Sequence, residues 1–250
     1  MSYPINYPTP QGANIQIFQA PVRAVTTAWT AEWVKPQGAS MVWFTLLGAG
    51  GGGGGVTADD AFYGAGGGSG AVTNCMVPAF LIPDVLQIRV GTGGAAGTTA
   101  TNGGSGTASA IFYQQKAGTG YTLLTANAGG GGAAGAGGAN APAAGGGSAS
   151  VSNYFSAAGF YQSIAGQDST TGNTAQTPSA TTFLSGGTAG ALTANYGYTS
   201  RSGFMMRPII VGAGRVDASG RGPIGCGGWS NPTLGTCGSG GDGLVVIITW

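Results

Sequence analysis

Histidine is absent from this 250-residue chain, and charged residues make up only 6% of it. Without imidazole, most acid–base chemistry at neutral pH loses its usual group, and a Ser-His-Asp triad cannot be assembled. Eight basic residues against seven acidic leave a net charge of +1. That balance provides no basic surface to neutralise phosphates, so no nucleic acid is expected as a partner. The three cysteines are odd in number and form no C-x-x-C pair, which excludes a disulfide scaffold and a zinc site. Cys226 and Cys237 flank a glycine-rich loop that a disulfide could close; the alternative is free thiols acting as small apolar side chains. No run of about 20 apolar residues escapes interruption by glycine, so no membrane insertion is expected. Residues 1–6 hold no basic region followed by an apolar core, and the expectation is a chain made in a cytoplasm and used by assembly rather than export. No segment carries a capped 3.6-residue apolar period, which argues against α-helix throughout.

Glycine fills this space, at 53 residues, roughly three times ordinary usage. The glycines cluster unevenly instead of falling at every third position, so the chain is not collagen-like. An apolar share of 42% is too high for charge-driven disorder. β-Branched and aromatic runs of strand length, bounded by Gly or Pro, occupy residues 40–47, 71–77, 85–90 and 244–250, with a weaker one at 108–114. The first and last are apolar on both faces, which predicts covered strands of one sheet.

Glycine clusters lie between these runs, at 48–55, 64–70, 91–97, 103–106, 129–138, 145–147, 186–190, 212–214, 220–228 and 235–243. As flexible linkers they would leave too little chain to fold. As polyproline-II helices they have three residues per turn, a rise of about 3.1 Å per residue and outward-pointing N–H and C=O groups. Such helices, lacking side chains, can approach closely and pair backbone to backbone. Many must do so together, because ordering glycine costs at least ~1–2 kcal/mol per residue.

Residues 1–28 read as an extended arm containing Pro4, Pro8, Pro10 and Pro21, with Ile15, Ile17 and Val22 as anchors for attachment or an oligomer contact. Residues 29–250 form the glycine-rich domain. Its longest inserts, 149–185 and 191–211, are rich in rings. Flat rigid rings make economical contact surfaces, so Tyr154, Phe155, Phe160, Tyr161, Tyr196, Tyr198 and Phe204 are the receptor-binding candidates, with Tyr113 and Tyr121 next. Packing over the glycine layers is the competing role for each.

Other motifs carry little chemistry. Gly48, Gly50 and Gly53 satisfy a dinucleotide-type spacing but open no helix. Neither lysine follows a glycine, so no phosphate loop exists. Asp59-Asp60 could hold calcium or act on a glycan, and Arg201, Arg207, Arg215 and Arg221 could pair with anionic groups; a solvated loop and surface solubility are the favoured explanations of the two. No catalytic residue, no metal and no cofactor are therefore expected.

Trp29-Thr30, Trp33-Val34-Lys35-Pro36-Gln37-Gly38 and the following strand, then Leu47-Gly48-Ala49-Gly50-Gly51-Gly52-Gly53, resemble the opening of glycine-rich phage tail-fibre domains. Gly66-Gly67-Gly68-Ser69-Gly70-Ala71, Ile88-Arg89-Val90-Gly91-Thr92-Gly93-Gly94 and Gly240-Gly241-Asp242-Gly243-Leu244-Val245-Val246-Ile247 continue the likeness in order. The resemblance implies an all-β fold, a small β-sandwich base with stacked polyglycine-II helices and long loops. It implies a non-enzymatic virion adhesin at a phage fibre or spike tip, binding a host cell-surface receptor, either a glycan or an outer-membrane protein. Other virion proteins are the implied partners, and a homo-oligomer, a trimer or a chain docked on one, is the implied assembly. A capsid decoration or head-fibre protein without a receptor is the alternative; a glycine-rich ice-binding protein would need a flat regular repeat that is not evident.

Overall fold

The computed structural model describes residues 13–20, 29–55, 64–114, 120–135, 141–150, 155, 160–170, 224–228, 230 and 237–250. The fold is all-β, with two antiparallel sheets. The first has five strands in the order β1 (Asn14–Gln19), β9 (Leu244–Thr249), β3 (Met41–Leu47), β4 (Val72–Pro78), β8 (Phe160–Ile164). The second has four, β2 (Trp29–Val34), β5 (Val85–Val90), β6 (Ser109–Gln114), β7 (Gly120–Ala126). A single turn of 3-10 helix spans Ala79–Leu81.

The five strand runs expected from sequence all form. β3 and β9 pair from Val42↔Thr249 to Leu47↔Leu244, so the two doubly apolar runs share a sheet. Their alternation explains why both faces are apolar. Val42, Phe44, Leu46, Val245 and Ile247 enter the core shared with Trp33, Leu86, Ile88, Ile111 and Leu124 of the second sheet. Leu47, Leu244, Val246 and Ile248 belong to a second cluster on the outer face, with Cys226 and Val72. At about 25 cal/mol per Å² of apolar area, the intersheet core supplies the burial that a glycine lattice lacks. The extended arm is revised in part: residues 14–19 form β1, in register with β9 from Asn14↔Thr249 to Gln19↔Leu244. β2, β7 and β8 are further strands beyond the five.

At one end of the sandwich, turns cross between the sheets. Ala39 N–H donates to Pro36 O at 3.3 Å, with Gly38 at φ 80° in the third position of the turn, a geometry that favours glycine. Lys35 Nζ donates to Ala79 O at 3.1 Å and Ile82 O at 3.0 Å, and pairs with Asp84 at 2.8 Å. We call this the base.

At the other end the strands run on into the glycine segments. Residues 48–55 continue β3, and their N–H groups point outward with a period of three. Those of Gly48, Gly51 and Gly54 donate to Ala71, Gly68 and Ala65; those of Ala49, Gly52 and Gly55 to Thr107, Gly104 and Thr101; those of Gly50 and Gly53 to Gly241 and Gly238. The carbonyls repeat the period. Ala49, Gly52 and Gly55 accept from Gly129, Gly132 and Gly135; Gly50 and Gly53 accept from Gly94 and Gly97; Gly51 accepts from Gly228. The segment is thus a threefold helix with six neighbours, three antiparallel to which it donates and three parallel from which it accepts. The neighbours also bond in a closed ring, through Ala71→Asn127, Gly103→Gly132, Gly104→Ala95, Gly240→Gly94, Gly225→Asp242 and Gly70→Gly225, each written donor N–H to acceptor O. No bond joins two residues within 48–55, which is the polyproline-II pattern. Clusters 186–190 and 212–214 lie outside the described residues.

The lattice also separates the cysteines. Cys226 O accepts from Gly241, at the level of Gly50, whereas Cys237 Sγ donates to Gly54 O at 3.2 Å. Four residues of rise, on the order of 12 Å, exceed disulfide reach, and all three cysteines are buried and outside any disulfide. Burial pushes the Cys75 thiol up to about 12. Its neutral form is therefore favoured by folding, and that preference is present below the ordinary thiol range and lost as pH rises towards 12. At pH 8 none of the three thiols should react with a small disulfide reagent until the chain is unfolded, when all three titrate.

A Cβ on Gly52 would lie 1.9 Å from Ala95 O, and one on Gly131 2.0 Å from Gly103 O, whereas on Gly145 it would meet only Asp168 Oδ1 at 4.0 Å. Gly52→Val and Gly131→Val should each lower stability by about 4 kcal/mol or more. Gly145→Ala should be neutral or raise stability by up to ~1 kcal/mol. Thermal and denaturant unfolding of the three variants checks the contrast.

Candidate functional site

Rings decide the candidate surface, because polar chemistry in the described chain is spent on structure. On the outer face of the larger sheet, the register lines up Ile15, Ile248, Trp43, Met76 and Phe160, one residue from each of its five strands. Trp43 and Phe160 stack with centroids 5.7 Å apart and planes 18° off parallel. The indole is fixed from the next row: Trp43 Nε1 donates to Thr45 Oγ1 at 2.8 Å, and Thr45 Oγ1 donates to Asn74 Oδ1 at 2.9 Å. A ring pair locked this way is a flat apolar ledge, suited to a sugar face or a protein loop.

The sequence-selected rings divide. Phe160 is 46% and Tyr121 58% exposed. Phe155 is 1% exposed and sits in the intersheet core, so its role as a receptor contact is corrected: its ring fills the sandwich. Tyr113 opposes Tyr121 across β6 and β7 and packs against the core. Tyr161 is half-buried, and its hydroxyl donates to Ser150 O at 2.8 Å. These five residues all lie in the sandwich, with Tyr121 and Phe160 towards its base. Tyr154, Tyr196, Tyr198 and Phe204 lie outside the described residues, as do Asp59-Asp60 and the four C-terminal arginines.

Two features escaped the sequence reading. Phe80 is 81% exposed on the base loop that Lys35 staples. Its setting, an apolar run between Pro78 and Pro83, reads as core because nothing local shows that the loop turns outward. A hydroxyl cluster joins four segments: Thr73 Oγ1 donates to Thr125 O at 2.8 Å and lies 3.0 Å from Ser163 Oγ, Ser150 N–H donates to Ser163 Oγ at 3.0 Å, and Ser150 Oγ donates to Thr125 O. It ties the two sheets to residues 141–150, and no sequence spacing announces it. Among the described residues, no group of three His, Cys, Asp or Glu side chains is placed to hold a metal.

An antiparallel sandwich whose strands continue into a hexagonal packing of glycine helices is thus the class of structure. A family model described as a glycine-rich domain matches residues 26–250, and the chain belongs to that glycine-rich domain family. No curated protein matches it.

Phe155→Ala should cost about 3–5 kcal/mol, while Tyr121→Ala and Phe160→Ala should each cost about 1 kcal/mol or less, the larger loss of the two falling on Phe160 because its stack on Trp43 goes with it. Chemical denaturation of the three variants measures the split.

Proposed function

We propose that the chain is a non-enzymatic virion adhesin whose exposed rings contact a host cell surface. The observation that carries the reading is the exposure of Phe80, Tyr121 and Phe160, at 81%, 58% and 46%, on a frame whose backbone bonding is closely satisfied. Large rings left outside a rigid scaffold favour contact over packing. The lattice supports the reading as a stiff spacer, since each threefold helix is bonded along its length and has little freedom to bend. The resemblance to phage tail-fibre domains points the same way. A glycan or an outer-membrane protein is the receptor class, because stacked rings suit sugar faces and protein loops alike. Tyr154, Tyr196, Tyr198 and Phe204 remain receptor candidates of the inserts.

Two sets of alanine substitutions separate the possibilities: Phe80, Tyr121 and Phe160 in one variant, and Tyr154, Tyr196, Tyr198 and Phe204 in another. Anchors of this kind contribute about 1–2 kcal/mol each, so the set that faces the receptor should reduce adsorption of virions to host cells at least ~10-fold with melting nearly unchanged. Unchanged adsorption with both sets removed sinks the adhesin reading. Labelling of the chain on virions then tests the capsid-decoration alternative: uniform label over the capsid supports it, and label at fibre or spike ends supports adhesion.

A further inference from the structure

β1 ends the larger sheet. It pairs with β9, and among the described residues no strand lies on its other side. An edge strand offers alternate N–H and C=O groups outward, and proteins usually blunt such an edge with charge, proline or a bulge. β1 reads Asn-Ile-Gln-Ile-Phe-Gln and has none of these, and its register with β9 is unbroken. The edge strand of the other sheet on the same side, β2, differs in carrying exposed Glu32. Ile15 and Ile17 stand on the outer face at 48% and 53% exposure, beside register partners Ile248 and Val246 at 6% and 5%. Among the described residues, apolar burial on this face therefore stops at β1.

We infer that β1 pairs with β1 of a second copy of this chain, antiparallel, about a twofold axis through Gln16. The occupant follows from the strand's own symmetry. Ile15-Gln16-Ile17 reads the same in both directions, so this register sets Ile15 opposite Ile17 of the partner subunit and the two Gln16 side chains opposite each other. A twofold axis perpendicular to the sheet preserves its faces, so four isoleucines from the two copies meet on the outer face and extend its apolar row. No charged residue lies in the strand, so no like charges meet. The contact is isologous and closes as a dimer, in place of the trimer that the resemblance implies, and it holds whichever end of the molecule meets a receptor.

Sedimentation and light scattering of the full chain across a concentration series should show a monomer–dimer equilibrium. Ile17→Lys should raise the dimer Kd by about 100-fold or more with unchanged melting, and Phe80→Ser should leave it alone. Gln16→Cys supplies a second reading that does not depend on a weakened strand. Opposite residues in an antiparallel pair have Cα atoms about 4.5–5.5 Å apart, within disulfide reach of ~4.4–6.8 Å. Mild oxidation should therefore convert Gln16→Cys to a covalent dimer. Ile15→Cys alone should not cross-link, because its own copy sits two residues further along. A monomer at all concentrations, a trimer, a dimer insensitive to Ile17→Lys, or equal cross-linking of the two cysteine variants overturns the inference.

Discussion

The structure depends on the outward hydrogen bonding of residues 48–55. A polyproline-II segment satisfies none of its own N–H or C=O groups, so a buried one is tolerable only when neighbours supply every partner. The bonds of this helix are shared among six segments in a period of three. Ordering each residue costs about 1–2 kcal/mol, and a net hydrogen bond returns only about 1 kcal/mol. One helix is therefore unstable by itself, and a pair is little better. The closed ring makes the arrangement collective. Gly51, for example, is buried because Gly68 accepts from it and Gly228 donates to it, and Gly68 is itself held by donating to Gly130.

Such a lattice has almost no apolar side chains, and the sandwich supplies what it lacks. Five of the six helices around the axis continue a strand or lead into one: 64–71 leads into β4, 91–97 continues β5, 101–107 leads into β6, 127–135 continues β7 and 238–243 leads into β9. Antiparallel strands hand on antiparallel helices, so the alternation of directions in the lattice is inherited from the sheets. At positions where the described lattice has no further helix, side chains take the place of carbonyls. Gly93 N–H donates to Asp242 Oδ1 at 2.8 Å, Gly146 N–H to Asp168 Oδ1 at 2.7 Å, and Ala134 N–H to Asn102 Oδ1 at 2.8 Å. Two of the seven acidic residues of the chain, Asp168 and Asp242, are thus placed where the backbone pattern runs out.

The rings follow the same economy. Phe155 and Trp33 fill the space between the sheets, Trp33 meeting Phe44 edge-on at 6.2 Å. Trp43 and Phe160 cover the outer face, and Phe80 and Tyr121 stand clear of the base. In a protein with a lattice that cannot bury large side chains, every ring among the described residues is either sandwich core or surface. Among the described residues the surface rings are consequently carried by the sandwich, on β3, β7, β8 and the loop that Lys35 fixes.

Much of the architecture was legible in the residues themselves. Strand composition located β3, β4, β5, β6 and β9, and the doubly apolar runs of β3 and β9 implied a covered sheet, because alternation leaves no face for water. Glycine clusters of helix length implied packed threefold helices, because no other structure uses so much chain without side chains. β1 was hidden by its position in a proline-marked arm, and β8 by its brevity; each becomes a strand only by finding β9 or β4 as a neighbour. The fate of the rings was likewise undecided locally: Phe155 and Phe160 are five residues apart, with similar surroundings in sequence, yet one is core and the other a half-exposed stack. Composition and local pattern determined that the chain would make strands and threefold helices. Which helix became the axis, where each strand took its place in the sheets and which of the described rings faced outward were decided only by tertiary packing, because each depends on hydrogen bonds and burial shared between segments as far apart as Gly50 and Gly241.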